Sequence, residues 1–134
     1  MEKSGTSSIT LVYKDLALGG VQKKIIDICQ ALSKRQGVST RLILAQKNGE
    51  FLTLVPRRVN IIDLKITTKL PSVLLLPIKL YFEFKKTKPD VVFALMDTFG
   101  CASVMAALFL GKKKPKVIIS QNTLETGFLR QRPL

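Results

Sequence analysis

The stretch "LALGGVQKK" (16–24) sets Gly19 and Gly20 between the end of one apolar run and the start of an amphipathic one. Adjacent glycines at such a junction let the backbone bend sharply or let another molecule approach it closely. The first N–H groups of a helix have no intrahelical partner and its dipole favours negative charge, so a phosphate is one group this turn could receive. Simple turn geometry is the other reading. Neither G-x-G-x-x-G nor G-x-x-x-x-G-K-[ST] occurs, so the glycine pair alone does not decide between them.

Several other chemistries are excluded by composition. The chain has no histidine, which removes imidazole general bases, nucleophile partners and metal ligands. Its two cysteines, Cys29 and Cys101, lie far apart within apolar helical patterns. They are expected to be buried, reduced thiols of a cytoplasmic protein, with no disulfide framework and no metal site.

The elements that position the glycine turn follow from periodicity. "ITLVY" (9–13) has the β-branched and aromatic character of a buried strand. Beyond the glycines, Val21, Ile25, Ile28, Cys29 and Leu32 recur at helical spacing, with Gln22, Lys23, Lys24, Asp27 and Gln30 on the opposite face, and this helix is expected to end near Gly37. Further strands are expected at 39–46, 59–64, 90–96 and 116–122. A helix weakened or kinked by Pro77 is expected over 70–86, and one rich in small residues over 98–110. Leu74, Ile78, Tyr81 and Phe82 fit one face of the former and are expected in the core. Continuously apolar strands alternating with helices predict an α/β fold, a Rossmann-like parallel sheet with helices on both faces.

With 134 residues and 46% hydrophobic content, the chain can bury the core of a single domain. The first residues, "MEKSGT", lack the apolar centre of a signal peptide, and the longest apolar candidate, 70–84, is broken by Pro71, Pro77, Lys79 and Glu83. The main basic clusters behind the net charge of +13 are Lys34 with Arg35, then Lys85, Lys86 and Lys88, then 112–114. Each cluster falls between a helix end and the next strand, opposite the carboxyl-end crevice where open parallel sheets bind ligands. Complementing helix carboxyl termini, worth about 0.3–1 kcal/mol per exposed charge, is one role for them, and attraction to an anionic membrane is another. No nucleic-acid module accompanies them, and no nucleic-acid partner is expected.

Two longer segments carry a resemblance. "LALGGVQKKIIDICQALSKRQGVSTRLIL" resembles the opening of the amino-terminal domain of GT-B glycosyltransferases of the large retaining family 4, and "KPDVVFALMDTFGCASVMAALFLGKKKPKVIISQNT" resembles a later segment of that domain. The resemblance covers about half the chain, in the right order. It implies a sugar transferase with two Rossmann-like lobes, this chain (1–134) being an incomplete acceptor-side lobe without the carboxyl-terminal donor-binding lobe. It implies that a nucleotide-sugar donor is a substrate, that no cofactor is needed, and that the acceptor is a glycan or lipid-linked. It further implies that Gly19, Gly20 and Val21 meet the donor diphosphate. Asp97, Thr98, Gln121 and Asn122 are the corresponding candidates for acceptor or sugar hydroxyl contacts, with helix capping or a turn as the competing role of Asp97 and Asn122. No catalytic residue is assigned. Relatives often carry histidine near the position of Gln121 or Asn122, and an amide there cannot act as a base.

A stand-alone binding module that lacks a catalytic half is the alternative from a different class. A basic protein at the inner face of a membrane, using 70–86 as an interfacial helix, is the third.

Overall fold

The computed structural model describes residues 7–17, 19–66, 72–95 and 97–120. Five strands, β1 (Ser7–Tyr13), β2 (Val38–Leu44), β3 (Asn60–Asp63), β4 (Val91–Leu95) and β5 (Lys116–Ser120), alternate with three helices, α1 (Gly20–Ser33), α2 (Leu76–Thr87) and α3 (Asp97–Leu108). All neighbouring strands are parallel, in the order β3-β2-β1-β4-β5. Leu11 pairs with Leu42 on one side and with Phe93 on the other, and Phe93 in turn pairs with Ile118. The expected α/β architecture, with a parallel sheet and flanking helices, is therefore present.

Parallel strands need crossover connections, and these are right-handed. That rule sends α1 over one face of the sheet and α2 and α3 over the other, where the two pack against each other. The carboxyl halves of the central strands are covered on both faces, so Leu11, Val12, Leu42, Ile43, Leu44, Val92 and Leu95 are wholly buried.

Each helix presents a different stripe to the sheet. On α1 the buried residues are Gln22, Ile25, Ile26 and Cys29, with Val21, Ile28 and Leu32 partly buried beside them. On α2 they are Leu76, Leu80 and Phe84, spaced four apart along one face. On α3, Phe99, Ala102, Ser103, Ala106 and Ala107 face inward. The small residues let α3 lie close to β5: a Cβ on Gly100 would come within 2.7 Å of the Ile119 side chain.

Four expectations need correction. Pro77 occupies the first turn of α2, where its missing N–H costs nothing, and it opens the helix instead of kinking it. Leu74, Ile78 and Phe82 are exposed and Tyr81 is only half-buried, because Leu76, Leu80 and Phe84 already fill the inward stripe. Cys101 is exposed, because the adjacent Ala102 and Ala106 take the sheet-facing side of a helix that is apolar all round. Gln22, expected on the polar face of α1, is buried, since its carboxamide donates to Asp15. The ends of three expected elements, 70–71, 96 and 121–122, lie outside the described residues.

Burial pushes the Cys29 thiol up to about 11, so it stays protonated and inert at neutral pH. Brief alkylation of the native chain is expected to modify Cys101 and spare Cys29, with both reacting after unfolding; peptide mass spectrometry checks this. Truncation of the wholly buried Leu80 to Ala is expected to cost about 2–5 kcal/mol in a urea melt.

Candidate functional site

In a sheet of this order, β1 and β4 are neighbours whose following helices leave over opposite faces. The gap between α1 and α3 at the carboxyl ends of these strands is the topological switch point, where open α/β sheets take their ligands. Gly19 and Gly20 stand on one side of it and the start of α3, at Asp97 and Thr98, stands on the other.

The wall on the β1 side is built by short-range hydrogen bonding. Asp15 Oδ1 accepts the Ala17 N–H at 3.1 Å and the Gln22 Nε2 donor at 3.3 Å, tying the strand end to the first turn of α1. Behind them the Leu16 N–H donates to the Asn48 carbonyl and the Phe51 N–H to the Leu16 carbonyl, both at 2.9 Å. Gly49 makes that close approach possible: its φ is +121°, and a Cβ there would collide with the backbone of Leu16 and Ala17. The Tyr13 phenol, against Phe99 at 5.8 Å between ring centres, is held protonated by burial first and by the Asp15 charge second. It remains a neutral hydroxyl beside the crevice.

The two glycines of the opening motif have different physical roles. A Cβ on Gly19 would fall 2.5 Å from Gln22 Oε1, so a side chain there requires the Gln22 carboxamide to move. A Cβ on Gly20 meets nothing within 4 Å, and Gly20 is not among the residues of positive φ. Neither packing nor backbone conformation demands glycine at position 20. The helix that starts there has no side-chain cap and no acidic residue in its first turn, and the carboxylate tied to that turn, Asp15, is bonded to the Gln22 side chain and the Ala17 N–H.

The sequence-predicted residues are only partly assembled. Gly19, Gly20 and Val21 lie together at the amino end of α1, with both glycines exposed. Asp97 opens α3 and Thr98 is exposed in its first turn. Gln121 and Asn122 lie outside the described residues. Sequence reasoning missed Tyr13, Asp15 and Gln22. The signal available was position: an acid two residues past a buried strand, seven residues before a glutamine that follows the glycines.

Among the described residues, no group of three or more metal-ligating side chains is placed to hold a metal ion. Comparison with protein-family models and with curated proteins returns no match to the chain.

The contrast between the glycines is directly measurable. Gly19→Ala is expected to lower stability, by about 1–3 kcal/mol if the Gln22 bond to Asp15 is displaced. Gly20→Ala is expected to leave stability unchanged or to raise it by up to about 1 kcal/mol, because the unfolded chain loses freedom. Chemical denaturation of the two variants checks both.

Proposed function

We propose that this chain is the acceptor-side lobe of a glycosyltransferase that moves a sugar from a nucleotide-sugar donor to a glycan or lipid-linked acceptor. The observation that carries the proposal is Gly20: a glycine that the fold does not require, exposed at the uncapped end of a helix beside the switch point. Its conformational freedom is a cost to the folded state, and close approach of a ligand to the backbone offsets it. The resemblance of the glycine-turn and 88–123 segments to family 4 glycosyltransferases supports the same assignment.

On this proposal the N–H groups of Gly20 and Val21 face the donor diphosphate. The end of α1, equivalent to roughly half a positive charge, stabilises the negative charge that grows on the departing nucleoside diphosphate. Asp15, the neutral Tyr13 hydroxyl and Thr98 are the groups near the crevice suited to sugar hydroxyls, as acceptor, donor and either, respectively. One helix end supplies only part of the stabilisation that glycosyl transfer needs, so further cationic or N–H donors must reach the diphosphate from across the cleft. A second lobe is their proposed source.

Titration of the chain with nucleoside diphosphates, followed by amide NMR, is expected to shift Gly19, Gly20 and Val21. Gly20→Val is expected to weaken that binding about tenfold or more, equivalent to about 1.4 kcal/mol, with the fold retained. Sugar transfer is expected only when a polypeptide carrying the second lobe is added. Absence of nucleotide binding by the folded chain, or binding indifferent to Gly20→Val, would overturn the diphosphate site, and transfer by the chain alone would overturn its assignment as a half-site.

A further inference from the structure

The outer surface of the α2–α3 layer is apolar. Leu74, Ile78, Phe82, Met105 and Phe109 line a groove of about 440 Å³ between the two helices, with Leu74 66%, Phe82 59% and Phe109 75% exposed. Val104 and Leu108 extend the same surface along α3, which carries no charged residue from Thr98 to its end. A helix that is apolar all round is normally covered on all sides, and here the sheet and α2 cover only part of it. Contiguous exposure of this kind marks a surface that meets something apolar.

The groove has a cationic end. Both α2 and α3 run back from the carboxyl edge of the sheet to its amino edge, so their last turns lie together. A second cavity of about 340 Å³, sharing Tyr81 and Phe109 with the groove, is lined there by Lys85 and Lys88. The Lys85 ammonium stands 5.9 Å from the centre of the Tyr81 ring; Lys86, 4.0 Å from the Glu83 carboxylate, and Lys112 and Lys114, just beyond α3, are exposed. Lys79, by contrast, is turned away and donates to the Leu64 carbonyl at 2.8 Å.

Apolar side chains continuous with a lysine cluster match the two layers of an anionic bilayer surface, acyl chains and phosphates. A second copy of the chain is a poorer match, because each copy brings a net charge of +13 and like charges oppose association. We infer that the α2–α3 face docks on an anionic membrane, with Phe82, Met105 and Phe109 entering the interface and Lys85 and Lys88 meeting lipid phosphates. This inference goes beyond the glycosyltransferase proposal and rests on side chains outside the crevice.

The test is sedimentation of the 134-residue chain with phosphatidylcholine vesicles, with and without phosphatidylglycerol. Binding is expected only to the anionic vesicles. The doubly neutralised K85Q/K88Q chain is expected to bind on the order of 30-fold more weakly, at about fivefold per lysine. F82S/F109S, altered only at exposed positions and checked for folding by circular dichroism, is expected to weaken binding about tenfold or more. Lack of binding to anionic vesicles overturns the inference. So does binding that F82S/F109S leaves unchanged, which would be charge adsorption alone, and so does a dimer of the chain that F109S dissociates, which would assign the face to a second copy. G20V is expected to bind vesicles like the unaltered chain, so failure here and failure of the diphosphate site are read separately.

Discussion

β1 is hydrogen-bonded along both edges, to β2 on one and β4 on the other, and the other elements are placed by that double pairing. A right-handed crossover to β2 commits α1 to one face. The return from β3 to β4 passes over the opposite face, and α3 stays there on its way to β5. The helices that follow β1 and β4 therefore diverge, and a crevice opens between their first turns. Were β4 paired elsewhere, the glycine turn and the start of α3 would not share a site.

The crevice wall is held from behind by a loop that the ladder itself does not contain. Asn48 and Phe51 bond the backbone of Leu16, and Gly49 supplies the positive φ and the missing Cβ that this contact needs. Asp63 continues the support by accepting from the N–H groups of Lys47 at 3.2 Å and Lys65 at 2.9 Å. With the strand end so constrained, Asp15 can orient Gln22, and the Gln22 carboxamide then stands where a Cβ on Gly19 would be. Three glycines near one crevice thus differ: Gly49 is set by backbone conformation and space, a Cβ on Gly19 would displace the Gln22 carboxamide, and Gly20 is under neither constraint.

The α2–α3 layer follows a different logic. Its inward stripe, Leu76, Leu80 and Phe84 on α2 and small residues on α3, satisfies the sheet and brings the helices close to it. That leaves the larger apolar side chains outside, beside lysines that also complement helix carboxyl termini. No helix among the described residues is long and apolar enough to cross a membrane, so contact of this layer with lipid is a matter of its surface. The crevice and this surface occupy different parts of the molecule and draw on different residues.

Periodicity and composition determined the order of strands and helices, the parallel sheet and the glycine turn at a strand–helix junction. These are local properties: continuous runs such as "VVFAL" have few alternatives to a buried strand, and Pro and Gly mark element ends. Tertiary structure decided what each side chain meets. Both Leu76–Leu80–Phe84 and Leu74–Ile78–Phe82 have helical spacing over 74–84, and only packing against the sheet selects the first as core. α3 has apolar residues on every side, so its sequence contains no signal to orient it, and Cys101 falls outward because Ala102 and Ala106 fit beneath. Gln22 is polar by type yet buried by partnership, and the distinction between Gly19 and Gly20 is set by which neighbours stand within reach. Secondary structure is written in spacing along the chain, whereas burial and contact depend on surfaces that only the assembled sheet brings together.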